Sequence, residues 1–192
     1  MFGQYTIGEA AKNGWALLMT KLFYPKARLV RRPVYLRGKE HFRYGSGLTT
    51  GYGSRFDLDG DGPTPVIGRN CKMNDHVHIV AHERVEIGDD VLMASNIFIS
   101  DTSHGDYGGA PSDPAVPPDD RSLHTKPVRI GNNVWIGEGV HIMPGVTIGD
   151  GCVIDANSVV TCSLDEKAVA VGVPAKVIKR WDSVSGLSLI HI

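Results

Sequence analysis

Four of the eight histidines, His76, His78, His82 and His104, fall within a stretch of about thirty residues just beyond an acidic run at Asp57, Asp59 and Asp61. These are the residues whose types could hold a metal or move a proton. With Gly62, the acidic run imitates the opening of a calcium-binding loop. The position that would need a bidentate glutamate is Gly68, however, and Pro63 and Pro65 interrupt the stretch, so it reads as an acidic turn. His104, in the run Asp101-Thr102-Ser103-His104-Gly105, is the more informative residue. An imidazole titrates near about pH 6.5 and can take or give a proton at neutrality. What singles out this histidine is its place in the repeat around it.

Ile130, Ile136, Ile142, Ile148 and Ile154 follow one another at intervals of six. A helix face would need steps of three and four, and an alternating strand steps of two. A strict period of six predicts a hexapeptide β-helix, in which short strands and corners alternate around a three-sided prism. The same phase runs through Ile67, Met73, Ile79, then Ile87, Met93, Ile99. Residues one triangular turn apart should then stack with ~4.8 Å between strands. Small or β-branched residues four places on (Cys71, Val91, Val134, Val140, Val146, Cys152, Ser158) are expected to fill the interior. Gly68, Gly88, Gly131 and Gly149 follow the residues that start each turn, which suggests corners needing a glycine conformation. A weaker first turn is expected at Leu36, Phe42 and Leu48.

The step exceeds six between Leu48 and Ile67, Ile79 and Ile87, and Ile99 and Ile130. All three breaks follow the third strand of a turn, so they should lie at one edge of the prism, the place where a repeat fold puts its binding loops. The largest, loop 105–127, is rich in Pro, Gly and Asp. His104 stands where the repeat gives way to it.

The run Asn132-Asn133-Val134-Trp135-Ile136-Gly137 and the run Pro144-Gly145-Val146-Thr147-Ile148-Gly149 resemble the core of hexapeptide-repeat acetyltransferases. Ser158-Val159-Val160-Thr161, Gly172-Val173-Pro174-Ala175-Lys176, Ile87-Gly88-Asp89-Asp90-Val91 and the segment around His104 extend the likeness over most of 67–180. The branch most similar contains galactoside and maltose acetyltransferases and O-acetyltransferases of bacterial surface polysaccharides. The resemblance implies an all-β, left-handed parallel β-helix with a short N-terminal helix and a long loop at one prism edge. It also implies a homotrimer binding acetyl-CoA between subunits, with no metal. His104 matches the family's catalytic histidine, the base for a sugar hydroxyl attacking a thioester; Asp101 is a candidate for orienting it. Asn74 and His82 fall at acceptor-binding positions, the latter where relatives often carry aspartate. A neutral imidazole offers one donor and one acceptor there. Trp135 should point outwards, either into the acetyl pocket or into trimer packing. Glu138 and Ala156 match positions whose backbone meets pantetheine, and Thr161, Lys176 and Lys179 match polar and basic positions near CoA. Cys162 stands where relatives often carry lysine.

The expected activity is acetyl-CoA-dependent O-acetylation of a carbohydrate in lipopolysaccharide, capsule or exopolysaccharide biosynthesis. Direct transfer is expected, since no cysteine or serine stands visibly beside a base as an acyl carrier. Alternatives are an antibiotic or other small-molecule acetyltransferase, a β-helix that only assembles, or a metalloenzyme resembling γ-class carbonic anhydrase. Against the last, that family's His-x4-His spacing would need a histidine at Gly109.

The expected organisation is a helical, basic extension over 1–33, a β-helix domain over 34–182 and a tail over 183–192. Net charge is −1, so nothing demands nucleic acid. Ten of the twenty Lys and Arg residues lie within the first 55 positions, a solvated face or a patch facing an anionic substrate or a membrane surface, the latter allowing peripheral approach to a membrane-linked glycan. Residues 7–23 can form an amphipathic helix with Trp15, Leu18, Met19 and Leu22 on one side. It is too short to span a bilayer, and with Glu9 and no cleavage site it does not read as a signal peptide. Cys71 and Cys152 should lie three turns apart, ~14 Å by strand spacing and beyond disulfide reach, which suits a reducing cytoplasm.

Overall fold

The computed structural model describes residues 5–108, 111–182 and 187–190 and winds the chain into a three-sided β-solenoid, a left-handed parallel β-helix. The first face stacks Leu29–Val30, Thr49–Thr50, Lys72–Met73, Leu92–Met93, Trp135–Ile136, Val153–Ile154 and Ala168–Val171 in parallel. Two antiparallel strands, Lys176–Asp182 and Leu187–Ile190, close it. The second face holds Val34–Arg37, Ser54–Leu58, His78–Ala81, Phe98–Ser100, His141–Ile142 and Val159–Val160. The third holds Arg43–Tyr44, Val66–Ile67, Val85–Ile87, Val128–Ile130 and Thr147–Ile148.

The period of six becomes columns. Met73, Met93, Ile136 and Ile154 stack on the first face, Ile79, Ile99 and Ile142 on the second, and Ile67, Ile87, Ile130 and Ile148 on the third. All are buried, as are the seven interior residues expected four places on. Strands of two residues cannot hold themselves together. Each inward aliphatic contributes roughly 1.5–3 kcal/mol by burial, so the columns hold the coils in register.

Several local expectations are corrected. Coil one runs through Leu36, Tyr44 and Thr50, since Leu36 pairs with Phe56 and Tyr44 with Ile67. Phe42 and Leu48 are buried two places earlier, because extra residues after Leu36 shift the phase. The breaks therefore follow Leu36, Phe56, Ile79 and Ile99, all at the edge between the second and third faces. The glycines after each turn's first residue do not have positive φ. Positive φ falls three places after the inward residue, at Asn70, His76, Asp90, Asn96, Asn133 and Asn157 among others, where Asn and Asp tolerate it. Gly68 instead serves close approach: a Cβ there would meet the Gly88 carbonyl oxygen at 2.5 Å.

The solenoid begins at Leu29, earlier than expected, because Leu29–Val30 pairs with Thr49–Thr50 despite its basic surroundings. Before it lies one helix, Ile7–Phe23, opened by a reciprocal Thr6–Glu9 capping box. Thr20 accepts the Val30 amide at 2.8 Å and, with Ala16, faces the solenoid. Trp15, Leu18 and Leu22 point the other way, so most of the expected apolar stripe is outward, while Met19 of that stripe is half-buried beside the solenoid. Among the described residues no helix is long and apolar enough to cross a membrane. Of the expected tail, the strand Leu187–Ile190 extends the first face; 183–186 and 191–192 lie outside the described residues.

Candidate active site

The last residues of the second face lead straight into the site. Thr102–His104 leaves the solenoid and pairs antiparallel with Leu123–Thr125, Thr102 opposite Thr125 and His104 opposite Leu123. The neck is closed by the Lys126 amide donating to the Asp101 carbonyl at 2.8 Å. Loop 105–127 thus contains a return strand and a short turn of helix at Pro118–Asp120. Arg121 ties it together, donating to the Val116 carbonyl at 2.9 Å and the Tyr107 hydroxyl at 2.7 Å. Tyr107 in turn donates to the His104 carbonyl at 2.7 Å. The backbone of His104 is therefore held while its side chain is exposed, with no hydrogen bond to the ring among the described residues.

Asp101 does not orient that imidazole. It is fully buried, and its carboxylate accepts the amides of His82 at 3.0 Å and of Glu83 and Arg84 at 2.8 Å, plus the Thr102 hydroxyl at 2.6 Å. The reason is topological: Asp101 leaves the second face directly above the turn 82–84 of the preceding coil, so its side chain meets three backbone donors. It fixes the His82 turn to the base of the hairpin that carries His104. Sequence reasoning missed this role, and also Tyr107 and Arg121, because the contacts join segments with no common period.

The remaining candidates divide between two edges. His82, half-buried, and Thr161, exposed, lie with His104 where the second face turns to the third. Asn74, Glu138 and Ala156 are exposed at the other end of the second face, where the first turns into it. Glu138 accepts from the Asn96 side chain at 2.9 Å. Trp135, 54% exposed, stands on the first face in one outward column with Leu92, Val153, Val169 and Lys179. Trp135 and Lys179 are three strands apart, roughly 14 Å by strand spacing. Lys176 is exposed near the start of the same closing strand. A single subunit brings His82 and His104 to one edge and leaves Asn74, Glu138, Ala156 and Trp135 elsewhere.

The other histidines have separate surroundings. His78 Nε2 lies 3.0 Å from Asp57 on the second face, beside Phe98 with ring centroids 5.3 Å apart. His76 occupies a positive-φ corner. Among the described residues no three His, Cys, Asp or Glu side chains converge as a metal site. Burial pushes the Cys71 thiol up to about 11 and raises that of Cys152, so neither is poised as a nucleophile.

Residues 127–162 match the family of bacterial transferase hexapeptides (six repeats). WbbJ of Escherichia coli K12, named as a lipopolysaccharide biosynthesis O-acetyl transferase, is 43% identical over 168 residues, 86% of this chain and 85% of its own. The chain belongs to the hexapeptide-repeat acetyltransferase family. Galactoside O-acetyltransferase of the same organism is 43% identical over 114 residues, 59% of this chain and 53% of its own. In fold, the hexapeptide acetyltransferase chain superposes on AntD, an N-acyltransferase from Bacillus cereus, with a TM-score of 0.70. That match is 23% identical and covers 94% of this chain and 92% of AntD.

Proposed function

We propose that the protein is an acetyl-CoA-dependent O-acetyltransferase acting on a sugar hydroxyl during assembly of a bacterial surface polysaccharide. The observation that carries this reading is His104, exposed on a braced hairpin at the edge where every insertion falls, in a chain similar to WbbJ over nearly its whole length. The imidazole takes the hydroxyl proton as the oxygen attacks the acetyl carbonyl. Backbone amides at the cleft stabilise the oxyanion. Collapse forms the ester and breaks the C–S bond, and the imidazolium returns the proton to the departing thiolate. His82 and Asn74 bind the acceptor. Trp135 borders the acetyl group, the backbones of Glu138 and Ala156 hold pantetheine, and Thr161, Lys176 and Lys179 meet the rest of CoA.

The working form is a cyclic homotrimer in the cytoplasm. What supports the trimer is the division of the candidates between two edges, which a neighbouring copy would bring face to face. The exposed pair Leu92 and Trp135, 42% and 54% accessible, offers an apolar patch for that neighbour. The acceptor is reached as a free, nucleotide-linked or lipid-linked saccharide, the last by approach to the membrane surface.

The deciding experiment measures thiol release from acetyl-CoA against a panel of free, nucleotide-linked and lipid-linked saccharides, with amine-bearing sugars and antibiotics as a second arm. Ester formation on a saccharide hydroxyl is expected. Turnover confined to amines or antibiotics would replace this reading with the small-molecule alternative.

A further inference from the structure

The N-terminal helix inverts the usual amphipathic arrangement, in which the apolar stripe faces the core. Its solenoid side is made of Ala16 and Thr20, with Asn13 half-buried beside them. Ile7, Leu18 and Leu22 recur at helical spacing on the opposite side, 91%, 61% and 68% exposed, with Trp15 alongside at 58%. Phe23, seven residues beyond Ala16, lies beside the solenoid rather than on this stripe; it is exposed at the C-terminal end of the helix, where the Arg32 guanidinium lies 5.9 Å from its ring.

Cations border this stripe. Lys12 and Lys21 are exposed on the helix itself. The groove along one flank is lined by Arg28 and Arg31, and that along the other by Arg32 and Lys39 with one carboxylate, Glu40. The first 55 residues carry ten Lys and Arg against two acidic residues, while the remainder carries ten against nineteen. The positive end of the molecule therefore coincides with its exposed apolar helix.

We infer that the outer face of helix Ile7–Phe23 and its flanking cations form a docking surface for an anionic phospholipid bilayer, the helix lying in the plane of the headgroups. An apolar face of Leu, Ile and Trp with Lys and Arg at its margins is the composition that binds such an interface. Charge argues for lipid over a second copy meeting the same face, because two such faces would oppose like charges. An anionic leaflet attracts every one of these cations. The inference is independent of the acceptor and of catalysis.

The test is co-sedimentation of the full chain with vesicles of phosphatidylcholine, with and without phosphatidylglycerol, in the absence of acetyl-CoA and glycan. Binding to the anionic vesicles is expected, at least tenfold tighter than to the neutral ones, and weakened by salt. Leu18→Ser with Leu22→Ser should abolish it. Lys12→Gln with Lys21→Gln should weaken it roughly fivefold per charge removed. Both variants should melt as the native protein does, since the altered side chains face outwards. Absence of binding to anionic vesicles, or equal binding by the leucine variant, would overturn the inference. So would a fall in native oligomeric mass caused by the leucine changes, which would assign the face to a subunit interface. None of these results bears on acetyl transfer.

Discussion

The carboxylate of Asp101 accepts the backbone amide of His82 at 3.0 Å, so the residue three places before His104 anchors the turn of the coil below. One buried side chain thereby joins two candidate site residues that belong to different coils. Asp101→Ala would leave the amides of His82, Glu83 and Arg84 without their acceptor, at a cost of about 1–3 kcal/mol for each that stays dry. The expected result is a loss on the order of 10 °C in melting temperature. Turnover should also fall by more than the folded fraction does, as the hairpin base loosens. Thermal melting and steady-state rates on the same preparation check both.

Asp57 yields a pH-dependent prediction. Burial alone would raise its pKa, but hydrogen bonds from His78 and Arg55, with Arg37 nearby, outweigh that and hold it below the ordinary carboxylate value. A carboxylate lowered in the folded state stabilises fully above its unfolded pKa of about 3.9, and the contribution disappears as pH falls through the folded value. Asp57→Asn should therefore cost about 1 kcal/mol at neutral pH, the half-exposed arginines limiting the effect. The difference from the native protein should be constant above the unfolded pKa and shrink as pH falls below it in denaturant titrations.

Most of the solenoid was legible because a packed column repeats one physical demand, an aliphatic side chain every sixth residue. Ile130 to Ile154 satisfy it without interruption and fall on the three faces in turn. The first coil was harder to read because Tyr44 and Thr50 occupy column positions where Phe42 and Leu48 look the better candidates. The edge bearing His104 could be read from where the period breaks. The Asp101 clamp and the Tyr107–Arg121 brace could not, since bonds made within an inserted loop or to the turn of another coil leave no spacing to find. The outward helix stripe was visible as a pattern, but periodicity does not say which side meets the core. Ala16 and Thr20 win that position because Thr20 can accept the Val30 amide.

On the proposed trimer, the division of the candidate residues between two edges predicts complementation. His104→Ala and Trp135→Ala homotrimers should each be nearly inactive. Mixed trimers, made by unfolding and refolding the two together, should recover a fraction of native turnover, because some interfaces receive His104 from one subunit and Trp135 from another. No recovery in mixed trimers of verified composition would place the whole site within one subunit. A monomeric mass with full activity would remove the trimer itself.

Lys179 shares its outward column with Trp135, and Lys176 lies close by on the same strand. If the pantetheine arm runs along that column, the phosphates of CoA reach these ammonium groups. Replacing both lysines by alanine should raise KM for acetyl-CoA roughly tenfold, the scale of losing exposed charge-assisted contacts. KM for the acceptor should change little. Collapse of acceptor binding with unchanged acetyl-CoA affinity would move the lysines to the other substrate.

His104 carries the most weight. Its ring is exposed and none of its atoms belongs to a core column, so His104→Ala should leave the melting temperature nearly unchanged. The Tyr107 bond goes to its backbone carbonyl and survives the substitution. Turnover should fall by ~10²–10⁴, the range for removing a general base. Acetyl-CoA should still bind, as its contacts are assigned elsewhere. Isothermal titration separates binding from turnover, and thermal melting separates a lost base from a displaced loop. A folded variant with near-native turnover would exclude His104 as the base and return the search to His82, which the Asp101 clamp ties to the base of the same hairpin.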